Sequence, residues 1–348
     1  MDRSELEALV RGGEALIDAD LRGARLAGAD LAGGIFENVR FSGADLSGAR
    51  LKESIFNGCD FTGAALADAD LRLSVLTRSK LEGAALVNGK LVATKLNQCD
   101  LNRARLTGAD LTLAAMADCD LTGADLSRAT LDRTGLLQCL VAGMRLEGAR
   151  IERTLIAETD LTGVVFAGAS IHLGMFVGSK LAGMSLAGMS LTLCQLIDAD
   201  LTGADLTGAD LTQASFKGAK LAGAKLRRAK AERAVFYQAN LTGADLTEAD
   251  LSESVFVEAD LSGVFATKAR MSRCVFTRAT CVGARFVGAR LTQADFSHAD
   301  LTSADLSHAE LLQARLHRIE DEGAVFTSRA LAHGDDPDLA AAEDFRSR

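Results

Sequence analysis

From Leu16 to Leu316 a large apolar residue, mostly Leu or Phe, stands at every position ending in 1 or 6; Ala231, Ala266 and Cys281 are the smallest. The position two before each is small, usually Ala, otherwise mainly Ser, Thr, Cys or Gly. The other three positions of the five carry nearly all the charge. This period suits neither regular element. On an α-helix, at about 100° per residue, successive Leu residues would spread around the whole cylinder. In a flat strand an odd spacing would send alternate Leu residues to opposite faces. The pattern predicts a chain that turns a corner every five residues and brings each large side chain back inside, which is the mark of a solenoid. Most of the 33 glycines fall two residues after the large one, as at Gly203, Gly208 and Gly218. A corner there asks for φ > 0, which Gly supplies without a Cβ penalty.

The runs ADLTGADLTGADL (199–211) and ANLTGADLTEADL (239–251) resemble the pentapeptide-repeat family, whose pattern is A(D/N)LXX. The resemblance implies an all-β solenoid, a right-handed quadrilateral β-helix with four pentapeptides per coil and short terminal capping helices. The repeat length gives about 15 coils and, at ~4.8 Å per coil, a rod roughly 70 Å long.

Three segments follow: a capping helix in 1–13, the β-helix over 14–318, and a cap or tail over 319–348. Residues 4–11 read as the helix, with Ser4 and Glu7 as a capping box and Leu6, Leu9 and Val10 on one side; Gly12-Gly13 stops it. Its expected role is to cover the first coil, whose open end exposes backbone and core. The phase fails at Asp321 and returns at Phe326. Asp336-Pro337 can then start a helix over 338–346 that caps the far end; pairing with a second chain and disorder are the alternatives. Pro337 is the single proline, so no linker interrupts the repeat.

Net charge is −9, which disfavours nonspecific nucleic-acid binding. The N-terminus, MDRSELEALV, lacks the basic start and apolar core of a signal peptide, and a cytoplasmic location is expected. Residues 161–197 hold one charge, Lys180, yet the five-residue phase runs through them, so they read as β-helix rather than membrane span. All seven cysteines fall at inward positions: Cys59, Cys99, Cys119, Cys139, Cys194 and Cys274 at the small site, Cys281 at the large one. Cys99, Cys119 and Cys139 stack in successive coils. They read as reduced, buried thiols, with a disulfide or a soft metal along the stack as the alternative.

Dividing the repeat by twenty separates four walls. One collects Phe36, Phe56, Phe176, Phe216, Phe236, Phe256, Phe276 and Phe296 as core. The outward residue before each large one is commonly charged elsewhere, but on this wall it reads Ile35, Ile55, Val75, Leu155, Met175, Val235, Val255 and Val275, broken by Lys95, Ala115, Gly135, Gln195 and Ser215. The apolar column should be densest where Leu173, Met175, Val177, Leu193 and Ile197 fall. Two explanations stand side by side. β-Branched residues favour a straight wall; alternatively, the column is an association surface for a protein partner or a second copy. Elsewhere Asp60, Lys80 and Asp100 alternate in sign up one wall. A basic belt, Arg270, Arg273, Arg278, Arg285 and Arg290, sits in an acid-free stretch and reads as solvated surface or as a site for an acidic partner.

No catalytic constellation is visible. The chain has no G-x-G and no Walker-type loop. Its paired carboxylates, such as Asp205 and Asp210, lie on different walls. His298 and His317 can approach each other, but a metal needs three or four converging ligands. No catalytic residue, cofactor or metal is therefore expected. The function that remains is a non-enzymatic scaffold or adaptor presenting its apolar wall. The family resemblance adds two possibilities: an accessory role in bacterial contact-dependent (type VI) secretion, and mimicry of duplex DNA to bind DNA gyrase, giving inhibition or quinolone protection. A mimic needs a nearly continuous acidic track, since DNA carries one charge per ~1.7 Å. Arg and Lys belts interrupt the acid here, and no loop projects, so no direct nucleic-acid role is expected.

Overall fold

The computed structural model describes residues 2–346, and the chain divides after Met175 into two units. Each is a parallel β-solenoid, with about 16 turns in all and a small helix at each terminus. Residue i pairs in parallel with residue i+20, as in Asp20↔Arg40, Arg25↔Asp45 and Asp30↔Arg50, with Ile35↔Ile55 completing the coil. Four pairing columns per twenty residues make four walls.

Every described residue with positive φ has a number ending in 3 or 8. Gly23 (φ 63°) and Gly28 (φ 65°) behave as the spacing predicts, but Asn38 (φ 53°), Leu73 (φ 60°) and Arg103 (φ 54°) take the same conformation. The reason lies in the neighbouring coil. Gly23 N–H donates to the Ser42 carbonyl (3.0 Å) and Asn38 N–H to the Asn57 carbonyl (2.8 Å), so the ladder imposes the corner on whatever residue stands there.

The large residues point inward. Leu201, Leu206 and Leu211 are fully buried. In unit 2 Phe216, Phe236, Phe256, Phe276 and Phe296 stack with centroids 4.5–5.0 Å apart and planes within 6° of parallel. The centroid spacing matches the ~4.8 Å between neighbouring strands.

In unit 1 one wall widens into three-residue strands. These are β1 (Ala15–Ile17), β2 (Ile35–Glu37), β3 (Ile55–Asn57), β4 (Val75–Thr77), β5 (Lys95–Asn97) and β6 (Ala115–Ala117). After β7 (Thr130–Asp132) on the adjoining wall come β8 (Gly135–Leu137), β9 (Arg150–Glu152), β10 (Leu155–Ala157) and β11 (Ser170–His172). β1 to β6, β8 and β10 form an eight-stranded sheet, while β7, β9 and β11 form a three-stranded one. Unit 2 pairs mostly through isolated bridges; among its described residues one sheet joins β12 (Asp305–Leu306) to β13 (Val325–Phe326). With the Arg315↔His333 bridge, this carries the coil path beyond residue 318.

Helix α1 spans Arg3–Arg11, and its cap differs from the expected Ser4–Glu7 box. Asp2 accepts from the Glu5 amide and Glu5 from the Asp2 amide. Glu7 pairs instead with Arg3 and accepts the Asp30 amide (3.0 Å), while Arg3 donates to the Ala27 and Gly28 carbonyls. The side chains one turn further on are thereby freed to tie the helix to the first coils. Helix α2 spans Pro337–Arg346. Asp336 Oδ1 accepts the amides of Asp338 and Leu339, and Pro337 takes the first helical position, where a missing N–H costs nothing.

Candidate interaction surface

The wall of the eight-stranded sheet is bounded by two corners, whose residue numbers end in 13, 33, 53 and so on, and in 18, 38, 58 and so on. At the first corner glycine disappears after Gly33: none stands there from Glu53 to Leu173 in unit 1, or from Leu193 to Gln313 in unit 2. The opposite side of the coil keeps Gly23, Gly43, Gly63 and Gly83 in the equivalent left-handed positions. Leu73 and Leu113 (both φ 60°) and Leu173 (φ 54°) fall at this corner in unit 1, and Leu193 (φ 61°) at the equivalent position in unit 2. The left-handed region costs a bulky residue roughly 1–2 kcal/mol, and Leu73 and Leu113 are also about half exposed (52% and 48%).

On the wall itself the strands alternate outward, inward, outward. Ile17, Ile35, Ile55, Leu137 and Leu155 are exposed in unit 1 while Phe36, Phe56, Leu136 and Ile156 are buried. The extended strand thus presents two outward residues per coil. Of the residues singled out from sequence in unit 1, Leu155 is exposed, and Leu173 and Met175 are half-buried. In unit 2 Val177, Leu193, Ile197, Val235, Val255 and Val275 are all half-buried. The residues singled out within 173–197 are thus half-buried, whereas Ile17, Ile35 and Ile55 are exposed. The sequence places apolar residues on the wall, but whether a coil runs extended there decides how far they stand out.

The corner that follows these strands explains the cysteines. Cys59, Ser79, Cys99, Cys119 and Cys139 each donate to the carbonyl of the large residue in the preceding coil, Phe36, Phe56, Leu76, Leu96 and Met116, at 3.4–3.6 Å. The Cys59 amide in turn donates to Ser79 Oγ. All seven cysteines are buried, and burial pushes the Cys59 thiol up to about 11. Burial likewise raises the Cys274 and Cys281 thiols, whereas the hydrogen bond with Cys119 lowers Cys99.

The acids are structural. Asp60, Asp200 and Asp205 each accept the amide two residues on, from Thr62, Thr202 and Thr207. Hydrogen bonds from Thr202 and Thr207 hold Asp200 and Asp205 below the usual carboxylate value. Cations interleave with them: Asp60, Lys80 and Asp100 bridge in order, as do Lys180, Asp200 and Lys220. The basic belt is neutralised across coils, Arg270 by Asp250, Arg273 by Glu253, Arg278 by Glu258 and Arg290 by Glu310, while Arg285 packs over the Phe265 ring. A run of unpaired positive charge is thus not what this belt offers.

At the last coils of unit 2 the equivalent wall and corner positions carry His317, His298 and Arg318, and α2 lies on them. Glu343 Oε1 is 3.1 Å from His298 Nε2 and Oε2 is 3.4 Å from His317 Nε2. Arg318 reaches Asp344 (2.8 Å) and the Ala340 carbonyl (3.0 Å). Burial opposes ionisation of Glu343, but the two imidazoles outweigh it and its carboxyl lies below the usual value. Sequence reading paired the two histidines and missed Glu343, whose partners are 26 and 45 residues away. Among the described residues no helix is long and apolar enough to cross a membrane.

Comparison with known proteins agrees with this architecture. The family profile described as pentapeptide repeats matches residues 19–58, 175–213, 194–230, 214–253, 254–293 and 284–318, and a pentapeptide repeat region matches 49–124. No curated protein matches the chain. Among solved structures, HetL, a pentapeptide repeat protein involved in heterocyst differentiation regulation from the cyanobacterium Nostoc, is 24% identical, covering 80% of this chain and 96% of its own, with a TM-score of 0.32. A pentapeptide repeat protein of the Arabidopsis thaliana thylakoid lumen is 34% identical over 32% of this chain and 67% of its own (TM-score 0.22). QnrB1, a plasmid-mediated fluoroquinolone resistance protein, is 15% identical over 78% and 99% (TM-score 0.20). Such superpositions are too loose to carry an argument about function. The profile matches cover more than half of the sequence, and the chain belongs to the pentapeptide repeat family.

Proposed function

We propose that this protein is a non-enzymatic interaction scaffold, and that the eight-stranded wall of unit 1 docks a protein partner or a second copy of the chain. The observation that carries this reading is the placement of Leu73 and Leu113. Each stands half exposed in a left-handed corner where Gly would relieve the strain. Strain and exposed apolar area held at one place favour a surface kept for binding. Duplex-DNA mimicry is disfavoured, because the carboxylates cap turns and alternate with cations.

The test is capture of partners from the source organism, beside sedimentation of the purified protein, for the wild type and Leu73→Asp/Leu113→Asp. The expected result is a partner, or a dimer, that the folded double variant loses. A component of a contact-dependent secretion system among the captured proteins would place the scaffold in that pathway. A supercoiling assay should show no effect on gyrase. Capture and sedimentation unchanged in the variant would sink the proposal.

A further inference from the structure

We propose that His298, His317 and Glu343 form a binding site for a zinc-class divalent cation, which staples helix α2 to the last coils. The donor atoms all lie within 4.8 Å of one another, and Glu343 reaches both rings, Oε1 lying 3.1 Å from His298 Nε2 and Oε2 3.4 Å from His317 Nε2. Tetrahedral zinc with bonds of about 2.0–2.1 Å requires ligand atoms about 3.3 Å apart, so the widest pair must close from at most 4.8 Å, a shift within reach of side-chain rotation. Two imidazoles and one carboxylate are a donor set that suits zinc, and a water completes the fourth position. The three residues come from three places in the chain: a corner, the wall of the next coil, and a helix that has left the solenoid.

The surroundings decide how the metal enters. In the present geometry the Asp336 amide donates to His317 Nδ1 (3.0 Å). That fixes the ring proton on Nε2, facing Glu343. A metal on Nε2 requires the other tautomer, with the proton on Nδ1. Its acceptor is at hand, because Asp335 Oδ1 lies 3.8 Å from Nδ1. A small shift of the 335–336 backbone thus exchanges an amide donor for a carboxylate acceptor, the usual outer partner of a metal-bound histidine. Arg318 Nε, 3.4 Å from Glu343 Oε2, competes with the cation. It keeps its contacts with Asp344 and the Ala340 carbonyl when Glu343 turns to the metal.

The experiment uses the full chain, stripped with a chelator. Zn²⁺ is titrated under chelator competition, Co²⁺ uptake is read by visible absorption, and hydrogen exchange follows residues 338–345. The wild type is expected to take up one equivalent, to give Co²⁺ a tetrahedral spectrum, and to gain protection in α2. Glu343→Gln and His298→Ala should bind Zn²⁺ at least tenfold more weakly, and Asp335→Asn roughly 10–100-fold more weakly. His172, His308 and His333 remain in every variant, so adventitious uptake would survive Glu343→Gln. Equal uptake and equal α2 protection in wild type and Glu343→Gln, or no uptake by the wild type, overturns the proposal. Neither result bears on the apolar wall of unit 1.

Discussion

Equivalent positions of the repeat are built in two ways in the two units. In unit 1 they run as three-residue strands, with two outward residues per coil. In unit 2 the equivalent residues, Ser215, Val235 and Val255, make isolated bridges. There the chain closes a turn: the amides of Ala219, Ala239 and Ala259 donate to the carbonyls of Phe216, Phe236 and Phe256. Unit 1 carries Cys59, Ser79, Cys99, Cys119 and Cys139 at that corner, and their side chains bond to the carbonyls of the coil before. A side-chain donor beside the backbone competes with the local turn. Ala19, which follows β1, shows that strand pairing alone can also hold the extended form. Val39, which follows β2, shows the same, so a side-chain donor accompanies the extended wall from β3 onward without being required for it.

The largest expected effect tests the unit 2 side of this contrast. Phe256 is fully buried between Phe236 and Phe276, with centroids 4.8 and 5.0 Å away. Phe256→Ala should cost about 3–5 kcal/mol, because the rigid coils above and below cannot collapse into the gap. Solenoid coils depend on their neighbours, so hydrogen exchange should quicken around residues 236–276. Protection in unit 1 should stay unchanged. A loss spread evenly over both units would mean that the stack is not a local element.

The architecture was legible because one phase, held from Leu16 to Leu316, leaves a single way to bury every large residue. The Phe column followed from the same phase. The chemistry of the corners was not legible. Cys99, Cys119 and Cys139 occupy a position usually filled by Ala, and nothing in the spacing says that their sulfurs bond to carbonyls 23 residues back. The apolar column was readable from the spacing, but the exposure of each member was not, since that depends on which coils run as strands. The helix caps show the same limit. Ser4 and Asp2 both suit a cap, and only the docking of Glu7 on Asp30 decides between them. Glu343 was invisible for a related reason: its role begins only once α2 folds back onto His298 and His317.

A middle-sized effect tests the corner directly. Cys119→Ala removes a buried thiol and its bond to the Leu96 carbonyl, at a cost of about 1–2 kcal/mol. The amides of β6 and β8 should lose exchange protection as the wall tightens toward a turn. Cys119→Ser, which keeps a donor, should stay close to wild type. The reverse change, Ala259→Ser, puts a hydroxyl near the Phe236 carbonyl and should loosen the turn in unit 2. If Cys119→Ala leaves β6 and β8 as well protected as before, the thiols merely fill space and something else holds the wall extended.

The smallest effect has the opposite sign and bears on why unit 1 keeps an exposed apolar wall. Leu113 sits at φ 60° with about half of its surface in water. Leu113→Gly relieves the left-handed strain but gives the unfolded chain more freedom, which offsets part of the gain. The net should be a stabilisation of about 0.5–1 kcal/mol, read as a higher midpoint in denaturant at unchanged slope. Gln213→Gly, at the same corner in unit 2 (φ 57°), should gain a similar amount. The two should part in binding: Leu113→Gly should weaken partner capture or self-association, and Gln213→Gly should leave it intact. A leucine retained against its own contribution to stability makes sense only if a bound surface recovers the difference. If Leu113→Gly is both more stable and equally competent in binding, the corner leucines serve some other end.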